Sequence, residues 1–325
     1  MSTQLDTTTA VPGAHLIDPT VLARIGSLQL LARTVVDGFI NGLHRAPHLG
    51  SSTDFAEHRQ YMPGDDIRRI DWALYARTDK YFVKQYEADT NTNFSVVLDV
   101  SKSMRYAGSP GTGRVSKLEY GAYLAACLTY FSSLQRDRVG LVTVETDVVD
   151  YVPSSAKHLR VVLHALDRAF NEGREAAATD AKRGATTAPT LAPPLRKLSE
   201  IYRRRSMLVV ISDLYEEPEA IVDAVNNLRG RGNDIMVFHL LDPTELEFPF
   251  ADSSNFIDLE TGEKMPVIPD YLRKQYREVV RAHVASLGTL LRDQRVDYAL
   301  FDTSRPLDGA LFAYLAARER LRRVR

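Results

Sequence analysis

From residue 93 onward, short continuous apolar runs alternate with segments of helical periodicity. Phe94–Val100 is apolar except for Ser95 and Asp99. Val139–Val144, Met207–Ser212, Asp234–Leu241 and Asp297–Phe301 repeat the pattern. Runs of this length without in–out alternation fit strands covered on both faces, as in a parallel sheet. Val148–Val152 lies close enough behind Val139–Val144 for a hairpin through Glu145-Thr146-Asp147. Ser116-x-x-Glu119 is a candidate capping box, and Leu124, Cys127, Leu128 and Phe131 form an apolar helical face behind it. His158–Phe170, Leu191–Arg204, Pro218–Gly230, Ile268–Asp293 and Leu307–Arg323 also carry helical patterns. Residues 171–190, rich in Ala, Thr and Gly, read as a loop. Phe256–Leu259 gives a short strand signal between breakers. This alternation predicts an α/β fold with a doubly wound, mostly parallel sheet.

Ahead of residue 93 the pattern is weaker. Residues 1–17 are polar and Thr-rich and read as a disordered tail. Asp18-Pro19 reads as an N-cap with proline at the first helical position. Leu22, Ile25, Leu28, Leu31, Val35 and Phe39 then extend one helix to about Gly42. Residues 44–92, punctuated by Pro47, Gly50, Pro63 and Gly64, read as non-helical, with a short strand near Tyr81–Tyr86. The expected organisation is a tail (1–17), an extension of helix and strand (18–92) and an α/β domain (93–325).

Composition narrows the function without naming it. The 325 residues are 44% hydrophobic and 26% charged, enough for a full core. One cysteine, Cys127, excludes an internal disulfide or a cysteine-built zinc site and suggests a reducing compartment. The start lacks the basic cluster and apolar run of a secretory signal, and no stretch approaches the ~18 apolar residues of a membrane helix. A cytoplasmic protein with no membrane insertion is expected. A formal net charge of −1 supplies no bulk field for nucleic acid. Arg203-Arg204-Arg205 and the Arg-rich C-terminal helix read as solvated helix ends, where cations suit the dipole. No nucleic-acid partner is expected.

In open α/β sheets, ligands bind beyond the carboxyl ends of the strands, near a topological switch point. Two stretches put polar groups there: Asp99-Val100-Ser101-Lys102-Ser103 and Ser212-Asp213. Alternate residues Asp99, Ser101 and Ser103 can converge on one point. The oxygen set suits a hard cation such as Mg2+ or Mn2+. The hydroxyls would bind directly, with Asp99 and Asp213 acting through water. An ion with few carboxylate ligands could take a carboxylate from another protein. Against this stands the ordinary use of Ser and Asp as turn formers and helix caps. Enzyme alternatives fit less well. An aspartyl phosphatase would want an acid where Ser101 stands, and Gly111-Thr112-Gly113-Arg114 lacks the Lys-Ser/Thr of a P-loop. His239 has no nucleophile elbow before it and reads as a core histidine.

Separated motifs also keep a recognisable order. They are His58-Arg59-x-Tyr61-x-Pro63-Gly64-Asp65-Asp66-x-x-Arg69-x-Asp71-Trp72, Ala76-Arg77-Thr78, Lys84-x-Tyr86-Glu87, Asp99-x-Ser101-x-Ser103-Met104, Ile211-Ser212-Asp213-Leu214 and Leu241-Asp242-Pro243-x-Glu245. From about Leu22 to the end, the chain resembles the domain-of-unknown-function-58 family. That family is similar to von Willebrand A domains with an N-terminal extension, and its members are typically encoded beside MoxR-type AAA+ ATPases. The resemblance implies a von Willebrand A-like fold and an adaptor or chaperone-like partner of a MoxR-type ATPase. It brings no enzymatic activity. It also implies a threonine ligand before the third helix of the domain. That position falls near Pro189, with Thr187 and Thr190 beside it, and Thr190 is the candidate.

Within 58–87, Pro63–Asp66 reads as a turn. Asp66, Arg69, Asp71 and Arg77 read as a paired charge network over a packed Trp72, either clamping the extension to the sheet or recognising the ATPase. Three functions follow: metal-assisted protein binding at Asp99, Ser101, Ser103, Asp213 and Thr190; a metal-dependent hydrolase; and a metal-free structural adaptor.

Overall fold

A computed structural model describes residues 19–23, 26–45, 57–61, 72–85, 92–108, 114–179 and 190–323. The tail at 1–17 lies outside the described residues, as do Asp66, Arg69, Asp71 and Gly111–Gly113. In chain order the elements are α1 (Pro19–Leu22), α2 (Leu28–Arg45), β1 (Glu57–Gln60), α3 (Trp72–Thr78), β2 (Phe82–Gln85), β3 (Asn93–Asp99), α4 (Lys117–Leu134), β4 (Arg138–Val144) and β5 (Val148–Ser155). There follow α5 (Leu159–Thr179), α6 (Ala192–Ile201), β6 (Ser206–Ser212), α7 (Pro218–Arg229), β7 (Asp234–Leu241), α8 (Pro243–Glu247), β8 (Ser254–Ile257), β9 (Lys264–Val267), α9 (Pro269–Asp293), β10 (Asp297–Asp302) and α10 (Asp308–Arg323).

The central sheet has the order β10-β7-β6-β3-β4-β5. Its pairings are parallel except β4 with β5, which returns antiparallel through the Glu145–Asp147 turn. Numbered by their own succession, these six strands run 3-2-1-4-5-6, the doubly wound order whose switch point lies between the first and fourth. That point is the gap between the carboxyl ends of β3 and β6. With one antiparallel edge strand and helices on both faces, this is the expected von Willebrand A-like fold.

Burial on both faces explains the unbroken apolar strands. Along β3, Phe94, Val96 and Leu98 enter one apolar layer and Val97 the other, as a two-residue period requires. The first layer is closed by α2, α4, α5 and α10, the second by α6, α7 and α9. Leu28, Leu31, Val35 and Phe39 of α2 belong to the first layer, so this N-terminal helix packs into the body of the α/β fold. Gly121 lets α4 lie close to the sheet. A Cβ there would meet Leu98 Cδ1 at 3.1 Å and Leu240 Cδ1 at 3.3 Å. The close approach sets the start of α4 beside the switch point.

Several sequence expectations are corrected. The single helix from residue 18 to 42 is two, α1 and α2, because Gly26-Ser27 breaks the run. Ser27 restarts it, its carbonyl accepting from Leu31 N and its hydroxyl from Leu30 N. The stretch 44–92 contains a helix, α3. Its Ala73, Leu74, Ala76 and Arg77 favour helix, and no Gly or Pro interrupts them. Trp72, expected to be packed, is 57% exposed and meets Tyr75 edge-on, and Asp66, Arg69 and Asp71 of the expected charge network lie outside the described residues. Residues 171–179 continue α5, where Ala176, Ala177 and Ala178 outweigh the loop-like composition. Phe256–Leu259 yields β8 over Ser254–Ile257, and its partner β9, with Lys264 and Pro266 inside it, carries no readable alternation.

The closing helix is locked by one enclosed ion pair. Arg318 Nη2 lies 2.5 Å from Asp137 Oδ2, and Arg318 Nη1 donates to the Tyr314 hydroxyl. Removing one partner strands the other charge in the core. Arg318→Ala is therefore expected to lower unfolding free energy by about 3–5 kcal/mol in urea titrations. A loss below about 1 kcal/mol, the range of exposed pairs, would show that the pair does not lock α10.

Candidate metal centre

Asp99 ends β3. Its Oδ1 accepts from Ser101 N at 2.9 Å, turning the chain so that Ser101 and Ser103 face the same side. Their hydroxyl oxygens lie 3.1 Å apart. Ser212 ends β6, and its hydroxyl donates to Asp99 Oδ2 at 2.6 Å, tying the two strand ends across the switch point. Asp213 follows at once, and Leu214 after it takes a left-handed φ of 49°. Such a backbone in a buried leucine costs about 1–3 kcal/mol. It is held by Ser212 Oγ, which accepts from Leu214 N, and by His283 Nε2, which lies 2.8 Å from the Leu214 carbonyl oxygen. The strained turn fixes where Asp213 points.

Lys117 was not singled out by sequence. It opens α4 just after the cap Ser116, whose capping box with Glu119 is formed as expected. A lysine in a first helical turn opposes the helix dipole. Here it is completely buried, and its ammonium donates to Asp213 Oδ2 at 2.8 Å and Glu245 Oε1 at 2.7 Å. Burial pulls the Lys117 pKa down, but Asp213 and Glu245 outweigh it and hold the pKa above the usual lysine value. Glu245 comes from the capping box Asp242–Glu245 of α8. Asp99 makes no ion pair among the described residues. Burial, reinforced by the Asp213 charge, pushes its carboxyl up to about 7 against the opposing bonds from Ser212 and Ser101.

Asp99, Asp213 and Glu245 line one cleft of about 470 Å³, and Lys117, outside its lining, bonds the last two. Asp99, Ser101, Ser103 and Asp213 are in its wall. So is Thr190, exposed, just before α6. Thr187 and Pro189 lie outside the described residues. Seven carboxylates line the cleft (Asp99, Glu145, Asp213, Glu216, Glu245, Asp258 and Glu260), and no Lys or Arg is among the lining residues. Such a field concentrates cations. Among the described residues, no three His, Cys, Asp or Glu side chains are grouped to hold a metal by themselves. An ion here needs the hydroxyls. The donor set fits: neighbouring ligands of octahedral Mg2+ at 2.0–2.1 Å stand about 2.9–3.0 Å apart, close to the Ser101–Ser103 separation.

Glu260 is the other residue that sequence reasoning missed. It sits at the tip of the β8–β9 hairpin and accepts from Ser103 N at 2.6 Å. The readable signal was the Asp258-Leu259-Glu260-Thr261-Gly262 turn, but nothing in it names Ser103 as a neighbour. His239 is the core histidine expected. It is buried, its Nδ1 lies 2.8 Å from the Tyr298 hydroxyl, and burial pulls its pKa down to about 3.

A family model described as "Protein of unknown function DUF58" matches residues 57–286, from β1 to within α9. The chain belongs to the DUF58 family. One relative is "Uncharacterized protein Rv1480" of Mycobacterium tuberculosis, 27% identical over 306 residues, which cover 93% of this chain and 91% of the relative. Among solved structures, the conserved hypothetical protein BatB from Bacteroides thetaiotaomicron matches 70% of this DUF58 chain and 98% of its own, at 15% identity and a TM-score of 0.44. The SpRpn10 VWA domain matches 67% and 92%, at 11% identity and a TM-score of 0.31. Among the described residues, no helix is long and apolar enough to cross a membrane.

The folded-state pKa of Asp99 lies above the ~3.9 of an unfolded aspartate, so the folded chain holds this proton more tightly. Metal-free stability is therefore lost as pH rises from about 4 through about 7. Thermal melts in chelator at pH 5 and pH 8 should show wild type losing several degrees more than Asp99→Asn. Equal losses would refute the strained carboxylate pair.

Proposed function

We propose that this chain is a protein-binding module that recognises a partner's carboxylate through a divalent cation, Mg2+ or Mn2+. Asp99, Ser101, Ser103 and Asp213 would hold the ion, with Thr190 at the rim. The bound ion supplies an electron-poor position open to one more oxygen ligand. The observation that carries this reading is the pair of hydroxyls 3.1 Å apart beside two buried carboxylates at the switch point. Seryl oxygens bind an ion without neutralising it, so its affinity for an anionic side chain is retained. The family resemblance supports a MoxR-type AAA+ ATPase as the assembly served, with the chain as adaptor or chaperone-like partner in the cytoplasm. A client protein would offer the carboxylate.

One observation favours a metal-free adaptor. The Lys117 ammonium already sits on Asp213, a built-in cation where a metal would otherwise be the natural counterion. The two readings differ in what the hydroxyls do. Calorimetric titration with Mg2+ or Mn2+ should show one site in wild type and none in Ser101→Ala/Ser103→Ala. In chelator the variant should melt within a few degrees of wild type, since the lost hydroxyl pair is worth about 1 kcal/mol. Equal binding to the two proteins would remove the hydroxyls as ligands, and no binding to wild type would leave the metal-free adaptor standing. Affinity capture of a MoxR-type ATPase, with and without chelator, tests the partner: retention in both conditions is expected, since the client and not the ATPase would supply the carboxylate. Failure to retain it in either condition would remove that partner.

A further inference from the structure

Nothing in the central sheet requires the β8–β9 hairpin, which forms a separate two-stranded unit. Its strands are largely exposed, but its base is anchored. Phe256 stacks on Phe248 at 5.6 Å and meets Phe250 edge-on at 5.0 Å, and Phe248 packs on Tyr276 of α9 at 4.6 Å. The tip is a tight turn. Asp258 Oδ1 accepts from Glu260 N, the Asp258 carbonyl accepts from Gly262 N, and Gly262 takes a φ of 75° that suits glycine. The turn aims Glu260 across the cleft onto Ser103 N, a contact between positions 157 residues apart. Ile257 and Leu259, both exposed, flank it on the cleft lip.

A carboxylate delivered to the hydroxyl loop of an acidic cleft is the chemical group that the proposed site would take from a partner. Resting on that reading, we infer that Glu260 is an internal ligand: it occupies, within the same chain, the position of the partner's carboxylate, and a partner engages by displacing the hairpin tip. The exposed strands leave the hairpin outside the central sheet, so displacing it does not open the core. The partner segment that it mimics carries an acidic residue beside an apolar one, as Leu259-Glu260 does. A surface turn formed only for its own stability would have no need of a bond to residue 103.

Hydrogen exchange on the full chain, with and without Mn2+, tests this beside calorimetry with Mn2+. In wild type, Mn2+ is expected to slow exchange of the amides of residues 258–263. In Glu260→Ala, Mn2+ should still bind, with affinity reduced on the order of tenfold, and the tip should exchange fast in both conditions. Glu260→Gln, which can still accept from Ser103 N, should lose the Mn2+-dependent protection. Equal Mn2+ affinity in wild type and Glu260→Ala, with tip exchange unchanged by Mn2+, would overturn the internal ligand and leave the metal site standing. No Mn2+ binding to wild type would overturn both.

Discussion

A hydroxyl-to-carboxylate bond between two strand ends organises this molecule's chemistry. Ser212 donates to Asp99, closing the gap that the doubly wound strand order opens between β3 and β6. The bond puts a carboxylate in the interior beside Asp213, an arrangement that costs free energy unless positive charge compensates it. The surroundings answer that deficit in two ways. Lys117 compensates Asp213 and Glu245 from the start of α4. The hydroxyls of Ser101 and Ser103, paired with each other, face the same cleft as Asp99, and on the proposed function a cation would complete the compensation there.

The fold serves this arrangement at several removes. Parallel strands buried on both faces bring β3 and β6 side by side in register. Gly121 lets α4 approach closely enough for its first residue to reach the crevice. The turn at Leu214 stores strain that a chain selected for stability alone would shed. Backbone strain at Leu214 and a buried lysine at a helix start, bonded to two cleft carboxylates, converge on one place, where function rather than stability alone sets the local structure.

Much of this was legible in the sequence because its cause is local. Phe94–Leu98 and Leu208–Ile211 announce themselves as strands through burial on both faces, and Ser116-x-x-Glu119 announces a helix start through the geometry of a capping box. The gathering of Asp99, Ser101, Ser103 and Asp213 in one cleft follows from two strand ends meeting at the switch point, and Thr190 was reached through the family resemblance. Lys117 and Glu260 were not legible, because their roles are set by partners 96 and 157 residues away. Helix α3 was hidden by aromatic and charged density, and β9 by a proline and a lysine within so short a strand. In both, context overrode composition.

A crystal structure grown in Mn2+, with anomalous scattering data, shows whether the strand-end hydroxyls hold a divalent ion. An anomalous peak is expected about 2.0–2.3 Å from Ser101 Oγ and Ser103 Oγ, with Asp99 and Asp213 in reach through water. A map without that peak at saturating Mn2+, with Lys117 still on Asp213 and the hydroxyls bonded only to each other, would contradict the proposed metal site.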